Sequence, residues 1–117
     1  MEPLTVLRQS AQERARQADL TRRQRRERAW KVAQVAAELL KSRYHSTRVV
    51  VFGSLTEVDR FHSWSDVDLA VWGLAPSDYF EAVARVLDVG SDIKVDLIMA
   101  ERCKPYLREA IEQGIEL

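Results

Sequence analysis

Three aspartates lie in or beside apolar runs of this chain. Their spacing could bring the three carboxylates together, so that they act jointly in catalysis or metal binding. Asp66 and Asp68 are two positions apart at the start of the run Val67 to Trp72, and Asp96 lies inside the run Lys94 to Met99. Because the side chains of a strand alternate between its two faces, Asp66 and Asp68 point the same way. If the two runs are neighbouring strands with matching faces, Asp96 joins them.

Three crowded carboxylates repel one another unless a cation lies between them. Mg²⁺ prefers such hard oxygen ligands and completes its shell with water and substrate phosphates. Two ions sharing an aspartate would stabilise the entering and leaving oxygens of a displacement at phosphorus. A lone Asp-x-Asp is more often a turn cap. Asp96 strengthens the metal interpretation, because an aspartate flanked by Val and Leu has only Lys94 as an obvious partner.

A Gly-Ser pair follows another apolar run, Arg48 to Phe52. Gly53 lacks a Cβ and lets backbone N–H groups approach an anion, and Ser54 adds a hydroxyl donor. Alone, such a pair is also an ordinary turn. Followed by the Asp-x-Asp pair and a later strand aspartate, it indicates a phosphate-binding turn beside a metal site.

These motifs together resemble the nucleotidyltransferase superfamily of the DNA polymerase β type. The matching segments are VVVFGS, SDVDLAV and KVDLIM, within roughly residues 47–99. The small size points to the minimal nucleotidyltransferase (MNT) branch, whose members are commonly paired with HEPN-domain proteins in two-gene toxin–antitoxin modules. In that branch the MNT protein is the antitoxin and can transfer AMP from ATP to a tyrosine of its HEPN ribonuclease partner.

The resemblance implies roles for the motif residues. It implies a catalytic and metal-binding set of three aspartates: Asp66, Asp68 and Asp96. It implies a nucleotide-binding set around the Gly-Ser pair: Gly53, Ser54, Ser65 and Arg60. ATP is the expected substrate and Mg²⁺ the expected cofactor, with room for two ions. Asp96 is expected to bind metal or to act as the general base toward the acceptor hydroxyl.

The spacer between the Gly-Ser and Asp-x-Asp pairs departs from the family pattern. It has eleven residues, 55–65, and the Arg-Gly that often follows Gly-Ser is replaced by Leu-Thr-Glu-Val-Asp. Arg60 is the only arginine or lysine in the spacer, which leaves few basic contacts for a triphosphate. Trp64 could stack on a nucleotide base, but we interpret it as an anchor of the loop.

Two alternative functions remain open at this point. The domain could silence a toxin by binding alone, or it could modify a small molecule, as aminoglycoside nucleotidyltransferases do. Only about 18 residues follow the third predicted strand, too few for a separate substrate-binding domain. We therefore expect another chain to supply the acceptor site, in an oligomeric complex with the HEPN partner, unless the N-terminal helices or a homodimer supply it.

The elements that must position these motifs predict a small α/β (α+β) domain. Residues 1–45 have helical periodicity and form an N-terminal extension, either one long helix or two with a break near residues 19–21. Residues 46–117 form the nucleotidyltransferase domain, with a mixed sheet of about three strands. The predicted strands are 48–52, 67–72 and 94–99. The helices packed on them are predicted over about 78–88, with Ser77 as N-cap, and over 100–113.

Composition and charge exclude other classes. With 46% hydrophobic and 31% charged residues, the chain is typical of a globular protein. It has no apolar run of about 18 residues and no signal-peptide core, so we expect no membrane span and a cytoplasmic location. Residues 1–45 hold 11 Lys and Arg against 5 Asp and Glu, whereas residues 46–117 hold 7 against 13. The arginine cluster over 22–28 suits a solvated helix face or an acidic partner, and direct nucleic-acid binding is not expected.

Overall fold

A computed structural model describes the backbone of residues 3–117 and the side chains of residues 6–117. Its helices and strands are, in chain order, α1 Pro3–Tyr44, β1 Arg48–Phe52, β2 Val67–Trp72, α2 Tyr79–Val89, β3 Val95–Met99, α3 Pro105–Glu112 and β4 Ile115–Glu116. Short 3₁₀ turns follow β1 (Gly53–Thr56), precede α2 (Pro76–Asp78) and follow β3 (Ala100–Arg102). The first two residues of the predicted N-terminal extension lie outside the described residues.

The strands form one mixed sheet in the order β3-β2-β1-β4. β2 and β3 are parallel and are joined by the α2 crossover, whereas β1 is antiparallel to both β2 and β4. The predicted mixed sheet is confirmed, but it has a fourth strand. β4 has only two residues, too few to show an alternating pattern. A Cβ at Gly114 would lie 2.5 Å from the Val51 carbonyl oxygen, so glycine permits β4 to approach β1.

The two faces of the sheet are covered differently. α1 and α2 pack on one face and form the larger core with alternate strand residues, which are Val49, Val51, Val67, Leu69, Val71, Val95 and Leu97. The other face carries a smaller apolar cluster under α3, including Val50, Ala70 and Ile111. Strand alternation places Asp66, Asp68 and Asp96 on this second, thinly covered face.

α1 is one continuous helix of 42 residues, so the break considered near residues 19–21 does not occur. The Thr21 hydroxyl donates to the Gln17 carbonyl at 2.9 Å instead of capping a new helix. Asp19 forms ion pairs with Arg22 and Arg23 one turn further on. Both polar side chains are thus satisfied within an uninterrupted helix. No helix in the described part of the chain is long and apolar enough to cross a membrane.

Two of the helix predictions are wrong because of the positions of Pro76 and Pro105. Ser77 does not cap α2, because Pro76 starts a 3₁₀ turn that contains Ser77, and the start of α2 has no side-chain cap hydrogen bond. The helix predicted over 100–113 is split into a 3₁₀ turn and α3. Lys104 is extended (φ −68°, ψ 149°), as the residue before a proline usually is, and Pro105 then takes the first turn of α3.

Candidate active site

Strand pairing brings the glycine and aspartate motifs to one end of the sheet. The register pairs Asp68 with Asp96 across the parallel strands β2 and β3, and Phe52 with Asp68 across β1 and β2. Gly53 directly follows Phe52, so the Gly-Ser turn begins beside Asp68. Asp66 immediately precedes β2 at the same end. The predicted proximity of Asp96 to the Asp-x-Asp pair is therefore present.

Gly53 is the point of closest approach between the turn and the carboxylates. It has φ +77°, and a Cβ built there would lie 2.4 Å from Asp68 Oδ2, well inside contact distance. The Thr56 hydroxyl donates to the Gly53 carbonyl at 2.8 Å and closes the turn. Only glycine therefore allows both this backbone conformation and this contact with Asp68.

Asp68 lies in a crowded acidic environment. Its partial burial, followed by the charges of Asp96 and Asp66, raises its pKa from 3.8 to about 6, while the nearby Lys94 acts in the opposite direction. Such a shift means that the ionised form is disfavoured where it stands. A cation bound among these carboxylates would relieve the repulsion.

The donor set fits Mg²⁺. The aspartates offer hard carboxylate oxygens, and the Asp68 carboxylate lies directly against Gly53, in the place that a side chain there would need. Among the described side chains, residues 6–117, no three His, Cys, Asp or Glu groups converge into a ready-made metal site. Mg²⁺ is usually held by one or two protein carboxylates and takes its other ligands from water and substrate phosphates. Asp66, Asp68 and Asp96 are the residues that would hold it.

Two of the predicted nucleotide-binding residues line one cavity. Gly53 and Arg60 border a space of about 270 Å³, and Ala110 and Gln113 at the end of α3 close its other side. Arg60 is exposed and pairs with Glu57 at 2.8 Å. This pair uses one guanidinium nitrogen of Arg60.

The two predicted serines are placed differently. Ser54 is half-buried in the 3₁₀ turn, directly after Gly53. Ser65 is only 6% exposed, and its hydroxyl oxygen accepts a hydrogen bond from the His62 backbone N–H at 3.1 Å. Ser65 thus braces the loop before Asp66 instead of facing the Gly-Ser turn.

The spacer loop is held by residues that the sequence did not single out. Leu55 and Phe61 are 0% and 1% exposed and fix the loop to the core. Trp64 is 75% exposed with its ring against His62, at 4.4 Å between centroids, so the interpretation of Trp64 as the loop anchor is wrong. The Leu55 carbonyl also accepts a hydrogen bond from Arg26 of α1 at 3.1 Å.

Cations from α1 lie beside the spacer. Arg22, Arg23 and Arg26 line a second cavity of about 270 Å³ together with Val58 and Asp59 of the spacer. The Arg26–Leu55 contact joins residues 29 positions apart. No local motif could have revealed this arrangement, because it depends on how α1 crosses the sheet.

The strand order, the crossover and the paired motifs define a nucleotidyltransferase fold, and comparison with solved structures narrows it to that of the minimal nucleotidyltransferases. A mutant of the toxin–antitoxin pair MntA–HepT matches with a TM-score of 0.58 and 20% identity, over 72% of this chain and 70% of that one. The unmutated pair matches with a TM-score of 0.54 and 18% identity, over 74% and 69%.

A candidate minimal nucleotidyltransferase matches with a TM-score of 0.52 and 26% identity, over 80% of this chain and 88% of that one. No family model matches the sequence, and no curated protein matches it significantly. The predicted resemblance to minimal nucleotidyltransferases is thus confirmed at the level of the fold.

Proposed function

We propose that this protein is a Mg²⁺-dependent nucleotidyltransferase antitoxin that transfers AMP from ATP to a hydroxyl, most simply a tyrosine hydroxyl, of a HEPN-domain toxin and thereby silences its ribonuclease. One observation carries the proposal. The parallel register sets Asp68 beside Asp96, with Gly53 packed against the Asp68 carboxylate. This arrangement supports the proposal because it sets the Gly-Ser turn directly against an acidic site.

The structural neighbours support the same class of partner. Two of them are toxin–antitoxin pairs, and the mutant carries two aspartate-to-glutamate changes two positions apart. Asp66 and Asp68 have that spacing. The acceptor in this chain's reaction would then be a second protein.

Each residue at the site has a chemical task in this reaction. The Gly53 turn presents backbone N–H groups and the Ser54 hydroxyl to the triphosphate. Asp96 is exposed, so a hydroxyl from another protein can reach it and give it a proton. The acceptor oxygen then bonds to the α-phosphorus, the bond from that phosphorus to the β-bridging oxygen breaks, and pyrophosphate leaves with the electron pair.

The metal's contribution is charge neutralisation at the reacting phosphate. Asp66 and Asp68 would hold the ion, since they share a face at the end of β2 beside the Gly-Ser turn. Because Asp68 and Asp96 lie within strands and Asp66 directly precedes one, the carboxylates would be held in place before the reaction, which is where most of the rate acceleration would arise.

The test is transfer of AMP to a defined partner. The protein is incubated with ATP, Mg²⁺ and the HEPN-domain protein of the neighbouring gene, and the intact mass of the partner is followed. We expect a gain of one or more AMP groups and a rate that falls by roughly 10³-fold or more in Asp66→Asn plus Asp68→Asn. The matched control, Asp78→Asn plus Asp88→Asn at the two ends of α2, should retain transfer.

Each alternative function predicts a different outcome. If the partner is bound and silenced while its mass never changes, the protein acts by binding alone and the catalytic proposal fails. If AMP is transferred to an aminoglycoside but not to the partner, the protein is a small-molecule transferase.

A further inference from the structure

The N-terminal half of α1 is a projecting helix with almost no cover. Residues 6–24, here called the arm, are all exposed except Asp19, which is half-buried. Buried positions begin at Ala29, where α1 meets the sheet. At 1.5 Å per residue the arm is about 28 Å long. The molecule is accordingly elongated, with principal extents of 66 × 28 × 19 Å.

The arm leaves the domain at the end of the sheet that carries the candidate site. Arg25 and Arg28 of α1 contact Asp92, just before β3, and Arg26 contacts Leu55, just after β1. Both contacts are at the Gly53 end of the strands. At the opposite end, Tyr44 donates to Glu81 at the start of α2. Residues N-terminal to Arg25 therefore extend past the sheet end that carries Asp66, Asp68 and Asp96.

The chemistry of the arm fits an acidic protein surface. It has five arginines, Arg8, Arg14, Arg16, Arg22 and Arg23, against two acids, a net charge of +3, and it contains no lysine and no aromatic residue. Arginine is enriched and lysine depleted at protein interfaces. Single-stranded nucleic acid is usually gripped with aromatic stacking, and phosphate neutralisation alone makes no use of exposed apolar side chains. The arm has such side chains, since Val6, Leu7 and Leu20 are 40%, 63% and 48% exposed.

We infer that the arm is a docking helix for an acidic surface of the acceptor protein and holds that protein in front of the catalytic carboxylates. The inference rests on the proposed function for the identity of the acceptor. Arg8 and Arg14 form no ion pair with any described residue, and Arg16 pairs only across one exposed helical turn with Glu13. These guanidinium groups are accessible for bidentate contacts with partner carboxylates.

The docking role of the arm is tested by replacing the three arginines nearest its N-terminal end. In Arg8→Ala plus Arg14→Ala plus Arg16→Ala the net charge of the arm falls from +3 to zero, and alanine preserves the helix. The matched control removes three cations near and within α3: Arg102→Ala, Lys104→Ala and Arg108→Ala. Affinity for the HEPN-domain protein of the neighbouring gene is measured by calorimetry at low and high salt, and helix content by circular dichroism.

We expect the arm variant to bind the partner about tenfold more weakly at low salt, with the difference shrinking at high salt, while the control binds like the original protein. AMP transfer at saturating partner should be unchanged, because the arm acts on binding and not on the reacting atoms. The inference is overturned if the arm variant binds as tightly as the original, if the control loses as much affinity, or if no binding occurs.

Two further measurements distinguish docking of the acceptor from catalysis and from RNA binding. Asp66→Asn plus Asp68→Asn should bind the partner normally. If the original protein shows arm-dependent binding of the partner but no AMP transfer, the proposed function is refuted and the docking role stays intact. In a parallel titration with a short single-stranded RNA, a loss of RNA affinity with partner affinity retained would make the arm a nucleic-acid contact and overturn the inference.

Discussion

The two faces of the sheet differ at the end of β2 that carries the site. On the face toward α1 and α2, Val67, Leu69 and Val71 are all 0% exposed. On the other face, Asp66 and Asp68 remain partly exposed and crowd each other and Asp96. The first face stabilises the fold through burial. The second face lowers the stability of the fold, because it crowds carboxylates together at the site. The apolar face keeps the strand in register.

The largest effect on stability is expected on the buried face. Leu69→Ala removes a fully buried side chain from the larger core and should lower the free energy of unfolding by about 2–5 kcal/mol, measured by urea denaturation. The same substitution at Leu20, which is 48% exposed on the arm, should change it by about 0.5 kcal/mol or less. Similar losses at the two positions would contradict the assignment of the core to this face.

The next effect concerns the contact between the Gly-Ser turn and the acidic face. Gly53→Ala places a Cβ against Asp68 Oδ2 and strains a residue at φ +77°. We expect AMP transfer to fall by about 10²-fold, because a shift of about 1 Å at a reacting site has that effect. The free energy of unfolding should fall by about 1–2 kcal/mol.

Gly73→Ala is the matched control for that variant. Gly73 has the similar φ of +78° but lies after β2, at the other end of the strand, where its Cβ would meet Thr47. It should lose comparable stability and keep most of its transfer activity. If both glycine variants transfer AMP equally well, the Gly53 turn is not part of the site.

Much of the site could be predicted from the sequence because it depends on local rules. Alternation puts Asp66 and Asp68 on one face whatever the fold, and an aspartate such as Asp96 inside an apolar run calls for an explanation. The apolar runs also located β1, β2 and β3 to within one residue, but not β4. The parallel pairing of Asp68 with Asp96 needed one further condition, adjacency of the two strands, which α2 makes possible as a crossover.

The features that the sequence did not reveal depend on distant parts of the chain. Arg26 donates a hydrogen bond to the carbonyl of Leu55, which is 29 positions further along the chain. The two residues of β4 form a strand only because they pair with β1. The exposure of Trp64 also depends on the rest of the fold. A large aromatic side chain is usually buried, yet here the smaller Phe61 takes the interior position and leaves Trp64 exposed. Which aromatic residue of a loop is buried depends on the cavity that the rest of the fold provides.

The smallest effect tests whether the acidic face destabilises the protein. Burial, then the charges of Asp96 and Asp66, raises the pKa of Asp68 from 3.8 to about 6. Between these two values the folded state binds a proton that the unfolded state does not, so the free energy of unfolding falls as the pH rises through this window. Above about pH 6 the destabilisation is complete. A shift of this size in a half-exposed group corresponds, after allowance for solvent screening, to about 1–2 kcal/mol.

Asp68→Asn removes the charge of this side chain and so isolates the contribution of that charge to the free energy of unfolding. In the presence of a chelator, the variant should be more stable than the original protein by about 1–2 kcal/mol at pH 8, and the advantage should vanish at about pH 3, where Asp68 is protonated in both states. The measurement is thermal unfolding of both proteins across this range. Asp88→Asn, at an exposed position of α2, is the control and should differ by less than about 0.5 kcal/mol at every pH. If Asp68→Asn is instead less stable at pH 8, then Asp68 is a stabilising residue, and the two faces of β2 do not differ in the way described above.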